Sequence, residues 1–274
     1  MRRFSSLINR RNLVPLPTTA TAQQSRNKSA VSTTKAASVV EAITSRRSIR
    51  KFLPDPVSVQ LVGRILKEAS RAPSGGNLQP WQVYVLSGST KDRLISAVAS
   101  QMEAGRNGEN KGPPYLIYPP ELTEPFRTRR RVLGADLYHL IGIPKSDQPA
   151  KLRQLAKNYT FFGAPVGLII VIDKQMNEPQ WSDVGMFLQN VMLLARQYGL
   201  HTCAQEAWAN YHKTIHRICN VPENLTVFCG MAIGYVDPDA IINQLDTERV
   251  RVKDFVTFCD VSENSEEMTL LSKL

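Results

Sequence analysis

Two short stretches concentrate the residues that can do chemistry. The first, Arg46-Arg47-Ser48-Ile49-Arg50, puts three guanidinium forks and a hydroxyl into five positions. A guanidinium matches phosphate oxygens bidentately, so the run reads as an anion clamp. The second is Ala72-Pro73-Ser74-Gly75-Gly76-Asn77-Leu78-Gln79-Pro80-Trp81. Pro73 fixes its own φ, and Gly75-Gly76 lets the backbone turn sharply or approach a ligand closely. Asn77 and Gln79 carry amides that both donate and accept, which suits the edge of a heteroaromatic ring. Taken singly, each stretch reads equally well as a basic turn or an ordinary loop.

The pair, in this order, with Phe52 after the arginines and Trp81 closing the loop, resembles the nitroreductase family of flavin enzymes. The resemblance runs from about Val40 to about Val261. It includes Asn158 to Val166, Asp183 to Asn190, Gln205-Glu206-Ala207 and Thr247-Glu248-Arg249. It implies an α+β nitroreductase-like fold, with a central, mostly antiparallel sheet flanked by helices, in an interlocked homodimer with FMN at the interface. Arg46, Ser48, Arg50 and Arg249 would then hold the flavin phosphate, and Arg47 would approach the polar edge of the ring. Gln205, Glu206 and Ala207 would pass the central ring, with the Glu206 backbone N–H offered to N5. Pro73, Ser74, Gly75 and Asn77 would reach the same flavin from the other subunit. Ala204 stands where proline is common in the family, so the local geometry there is its own.

Several elements must position these residues. A helix over Val39 to Ser45 brings Arg46 to its end. Ser58 is placed to cap a helix running to about Arg71, with Val62, Ile65, Leu66 and Ala69 on one face. Trp81 to Ser87 alternates as a strand, and Leu94, Ile95, Val98 and Met102 mark the next helix. In 105–135, Pro113-Pro114, Pro119-Pro120 and Arg129-Arg130-Arg131 interrupt any period, which predicts an irregular lid or substrate mouth. The arginine triplet either steers an acidic substrate or a nicotinamide-cofactor phosphate, or is a solvated basic face, the reading its composition favours. Leu152 to Tyr159 reads as helix, and Val166 to Ile172 as a central strand. Ser182 is the expected cap of an apolar helix ending at Gly199, whose Gln189-Asn190 pair needs hydrogen bonds. Thr202 to Trp208 reads as the start of a helix, Leu225 to Tyr235 as a central strand, and Val252 to Phe258 as a terminal strand. His212 and His216 lack the glutamate of a metalloprotease helix and read as helix-surface residues.

The 274 residues are 42% hydrophobic and carry a net charge of +10. Seven Lys and Arg and no acid fall within residues 1–40, which leaves only +3 for the remainder. That asymmetry argues against a nucleic-acid stripe and suits phosphate-bearing cofactors. The N-terminal segment, 1–38, is basic, Ser- and Thr-rich and acid-free, as a mitochondrial transit peptide is; a disordered tail on a cytoplasmic protein is the alternative. The domain proper spans 39–261, and 262–274 is a polar tail. No apolar run is long enough to span a membrane. Four scattered cysteines support neither a metal site nor a redox dithiol.

A flavin enzyme needs no acid–base pair and no nucleophile, and no G-x-G-x-x-G of a classical dinucleotide domain is present. Hydride chemistry belongs to a cofactor that the protein holds and tunes. The reading is therefore an FMN enzyme moving two electrons from NADH or NADPH to a small-molecule acceptor, a nitroaromatic or quinone, by a ping-pong route. The alternatives are other chemistry on the same fold (reductive dehalogenation or flavin degradation), a non-enzymatic FMN-binding protein, and a nucleic-acid-binding module.

Overall fold

Serines begin the first two helices. In the computed structural model, which describes residues 30–257 and 259, α1 (Val39–Ser45) starts where the Ser38 hydroxyl accepts from Glu41 N at 3.1 Å. The Ser58 hydroxyl does the same for Leu61 N and opens α2 (Val59–Ala69). These side chains satisfy amide donors that have no partner within the first turn. Val62, Ile65 and Ala69 form the buried face of α2.

The chain continues through β1 (Gln82–Leu86), α3 (Gly88–Ala104), α4 (Phe126–Leu140), α5 (Gln148–Ala156) and β2 (Val166–Asp173). It then forms α6 (Glu178–Gln197), β3 (His201–Gln205), α7 (His212–Cys219) and β4 (Leu225–Gly234). The four strands lie in the order β1-β2-β4-β3, and every pairing among them is antiparallel. The architecture is α+β, with the central β2 buried almost along its whole length, as the apolar run from Val166 predicts.

Each face of the sheet carries its own core. Ile169, Val171, Ala232 and Cys203 share one with Leu94 and Val98 of α3 and Ile215 of α7. Leu168, Ile170, Met231 and Ile233 share the other with Val62 and Ile65 of α2 and Val184, Phe187 and Val191 of α6. Strand parity alone would put Val227 and Cys229 on one face. They fall in opposite cores because Ile170 faces Cys229 while Val171 faces Val227, leaving Phe228 as an extra, bulged residue. The Phe228 carbonyl accepts from the Tyr115 hydroxyl, so the bulge also pins the segment between α3 and α4.

Five elements differ from expectation. α6 begins four residues before Ser182, because Asn177 and Gln180 form a capping box and Pro179 is tolerated in the first turn. Phe126–Leu140 is a helix, not part of an irregular segment: the prolines all precede it, and its Arg, Leu and Ala are good helix formers. Thr202 to Gln205 belongs to β3, and only a 3₁₀ turn, Glu206–Tyr211, follows before α7. β3 is claimed by neighbours on both sides, β4 and the bridge between Ser48 and Thr202, which overrides the helix propensity of Ala204-Gln205-Glu206-Ala207. Val252–Asp254 is a 3₁₀ turn closed by the Arg251–Asp254 ion pair at 3.1 Å, not a strand; Phe258 lies outside the described residues.

The fifth difference is at the N-terminus. The boundary expected at residue 38 falls inside a stretch fixed to the domain. Val31 and Ala36 are buried, and Ala36 N donates to Arg196 O at 3.0 Å. Arg196, only 1% exposed, sends Nη2 to Thr34 O at 2.9 Å, Nε to Ser45 Oγ at 3.2 Å and Nη1 to within 3.0 Å of His201 Nε2. The basic segment 1–29 and the tail 262–274 lie outside the described residues. Among the described residues no helix is long and apolar enough to cross a membrane.

Candidate active site

The arginine run leaves α1 in extended geometry at Arg46 and is laid beside β3 by Ile49 N donating to Thr202 O at 3.1 Å. Ile49 is fully buried and anchors the run in the core. In extended chain, alternate side chains share a face, so Arg46, Ser48 and Arg50 point together, away from Ile49. Asn243, 1% exposed, staples the other end: its Oδ1 accepts from Arg50 N at 2.8 Å, and its Nδ2 donates to Lys51 O and Asp237 O. Nothing in the sequence around Asn243 announces this role; its burial amid backbone groups is visible only in three dimensions.

The electrostatics of the clamp are unbalanced. Desolvation first, and then the nearby Arg249, pull the Arg46 guanidinium below its ordinary pKa. Among the described residues none of Arg46, Arg50 and Arg249 has a carboxylate at ion-pair distance. Arg249 is instead braced on neutral oxygens, Thr247 O and Oγ1 and Glu248 O, at 2.8–3.1 Å. An anion placed among these like charges would relieve the repulsion on the partly buried Arg46. Arg47 differs: it reaches Asp246 at 3.4 Å. Cys203 lies under this cluster on β3, near Arg50, Arg46 and Ser48, and burial pushes its thiol up to about 11.

β3 leads from the clamp to the second group of residues. Its ladder with β4 ends at Gln205, paired with Gly230, and the chain turns into Glu206–Tyr211. Gln205 is 2% exposed; its Nε2 donates to Asn158 O at 2.7 Å, while its Oε1 is buried with no partner among the described residues. A buried acceptor left unmatched is costly and calls for a donor from a ligand. Partial desolvation raises the Glu206 carboxyl above the usual carboxylate range.

The height of this turn over the sheet is set by two glycines. A Cβ on Gly230 would lie 2.2 Å from Trp208 Cδ1, and one on Gly167 would lie 2.5 Å from Phe161 Cζ. The Trp208 and Phe161 rings stack at 4.3 Å in the space so provided. The three residues before Trp208, Gln205, Glu206 and Ala207, are held against the sheet by that slab.

Pro73, Ser74, Gly75 and Asn77 are elsewhere. Gly75–Asn77 is a 3₁₀ turn with Gly76 and Asn77 at φ of 58° and 57°. Ser74 Oγ accepts from Gln79 N at 3.0 Å, and Gly75 N donates to Asp183 Oδ2 at 3.2 Å near the start of α6. The clamp hangs on the other end of the same helix through Ser45 and Arg196. Thirteen residues of helix separate Asp183 from Arg196, about 20 Å at 1.5 Å per residue. Within one chain the structure therefore unites the clamp with the Gln205–Ala207 turn and leaves the glycine loop apart. Below that loop Trp81 stacks on Phe187 at 5.0 Å.

The arrangement is a phosphate-sized cationic clamp joined by one strand to an amide-lined turn. Residues 43–235 match the model of the nitroreductase family. The chain belongs to that family. It is 36% identical over 216 residues to the nitrobenzene nitroreductase of Ectopseudomonas oleovorans, covering 79% of this chain and 94% of the relative. Among solved structures it is similar to the FMN- and NADPH-dependent nitroreductase NfnB of Sphigopyxis sp. strain HMH. The TM-score there is 0.79 and the identity 41%, over 82% of this chain and all of that one. The FMN-dependent NfnB of Mycobacterium smegmatis, solved with NADPH, gives a TM-score of 0.74 at 26% identity, over 81% of this chain and 98% of that one.

Proposed function

We propose that this nitroreductase-family chain is an FMN-dependent oxidoreductase that takes two electrons from NADPH or NADH and passes them to nitroaromatic or quinone-like acceptors in alternation. The observation that carries the reading is the uncompensated cluster Arg46–Arg50–Arg249, which a phosphate would neutralise. The unmatched Gln205 Oε1 supports it from the ring end. Bound FMN would supply hydride chemistry at its ring. Arg46, Ser48, Arg50 and Arg249 would hold its phosphate, Gln205 would accept from a ring donor, and the Glu206 backbone would face N5. No side chain needs to carry a proton for the electron transfer itself.

The glycine loop fits this reading when a second copy of the chain lends Pro73, Ser74, Gly75 and Asn77 to the site. Exposed Val39, Val40 and Ile43 on α1 and Val59 on α2 give such a copy apolar surface to cover. The segment before α4 would serve as the substrate mouth. Its first half is already fastened: Glu109 binds Arg217 and Thr214, and Asn110 binds Thr214. The N-terminal segment expected to be a leader would direct the chain to mitochondria, supported by its basic, acid-free composition.

Purified protein should be yellow, release FMN on denaturation, bleach anaerobically with a nicotinamide donor, and recover its colour on addition of nitrobenzene. A protein that binds no FMN, or whose flavin no nicotinamide bleaches, would sink the proposal.

A further inference from the structure

The arginines of α4 are divided between two faces of the helix. At 100° per residue, Arg127, Arg130, Arg131 and Gly134 fall within an arc of about 100°, while Arg129 and Val132 lie on the opposite side. Arg129 turns to the Phe126 ring, 5.7 Å away. The first face, with Pro119 and Pro120 across from it, lines a groove of about 430 Å³. Inside it the Arg130 guanidinium stacks 4.0 Å from the centre of the Tyr118 ring, which fixes its plane and leaves its N–H edge for a ligand. Glu124 engages Arg127 through Nε at 2.9 Å and so offsets one charge. Among the described residues Arg130 and Arg131 have no carboxylate at ion-pair distance.

The elements that line the groove are linked to the surroundings of the candidate active site. Tyr115, hydrogen-bonded to Phe228 O, is within electrostatic reach of Glu206. From Tyr115 to Pro119 is four residues, at most about 14 Å of chain. α4 also packs against Ile241–Gln244, the turn that carries Asn243 and holds the Arg46–Arg50 clamp. A ligand that reaches from Glu206 past Tyr115 along this segment would bring an anionic group to the groove. Two uncompensated guanidinia with a third beside them suit a phosphomonoester dianion better than a single carboxylate.

We propose that the Arg127–Arg130–Arg131 groove holds the 2′-phosphate of NADPH and makes this chain prefer NADPH to NADH. The assignment rests on the flavoenzyme reading above. Its test uses the FMN-loaded protein, the double variant R130A/R131A, and Arg129→Ala as the control on the opposite face. Adenosine 2′-phosphate, titrated by calorimetry, should bind the wild type more tightly than adenosine 5′-phosphate does. The double variant should lose that binding by about 10- to 100-fold, the loss expected for one or two charge-assisted hydrogen bonds. The KM for NADPH should rise in parallel while that for NADH moves less than about twofold, and Arg129→Ala should match the wild type. Equal binding of the two adenosine phosphates by the wild type would overturn the assignment. So would equal rises in KM for both nicotinamides, or a rise confined to a carboxylate-bearing acceptor such as 4-nitrobenzoate. A protein that binds adenosine 2′-phosphate through Arg130 and Arg131 but reduces no acceptor would overturn the enzyme reading and leave the groove standing.

Discussion

Arg46 and Arg249 are pushed together by the fold, and the sign of their interaction can be measured. Arg249→Ala removes a repulsion from the flavin-free protein and an attraction from the loaded one. Its apo form should melt no lower than the wild type, while its FMN affinity, followed by flavin fluorescence, should fall about 10- to 100-fold. An apo form that melts lower, with FMN affinity intact, would make Arg249 a structural residue. His201 offers a second measurement. Burial, and then Arg196, lower its pKa from 6.5 to about 4, so the folded chain keeps the ring neutral. Between those pH values the unfolded chain binds the additional proton, so this stability is full above pH 6.5 and is lost as pH falls toward 4. The change is at most about 3 kcal/mol. Melting curves should show that decline, and His201→Gln should flatten it; identical pH profiles would refute the account. The arginine clamp was legible because its chemistry is local in sequence. His201, Asn243 and Asp183 were not, since each acts on backbone or charge from a distant segment.

Local capping was read correctly at α1 and α2 but missed at α6, and β3, decided by its neighbours, was misread. Ser38 and Ser58 cap their own helices, so α1 and the start of α2 could be seen. β3 could not, because its strand character comes from β4 and from Ser48 and Ile49. The stretch Val31–Ala37 is a further case: small, polar residues resembling a leader, yet tied down by Arg196. A chain beginning at Val39 would leave Arg196 without Thr34 O and the Ala36 amide, and His201 without Ser32 O. Lost partners of buried polar groups cost about 1–3 kcal/mol each. That truncation should lower the melting temperature by several degrees, whereas a chain beginning at Ala30 should melt like the full-length protein. Equal melting of the two would mean that the strap carries no stability.

At the scale of the molecule, the two halves of the candidate site sit at opposite ends of α6, which makes their cooperation testable in mixed assemblies. One chain carries Arg249→Ala, weakening its clamp, and the other carries Gly75→Trp, obstructing the loop it lends. Each homodimer should be inactive. In the purified heterodimer one site collects both lesions and the other is intact, so about half the wild-type activity per dimer should return if the sites act independently. A folded heterodimer with no activity would mean that each flavin is served by a single chain. The sequence already contained both halves; what it lacked was the distance between them, since spacing along the chain says nothing about which end of a helix each one meets.

That distance makes α6 a gauge block. One inserted residue would lengthen it by about 1.5 Å and rotate one end against the other by about 100°. Seven inserted residues restore the angle to within about 20° but add about 10.5 Å of length, so no insertion is neutral. In the two-copy arrangement the error is not confined to one cavity: Ser45 is displaced at home while Gly75 is displaced in the neighbour. A compensating change in either cavity cannot repair both. Length variation should therefore be excluded from Asp183 to Arg196 and tolerated only outside it, where the chain has left the rod.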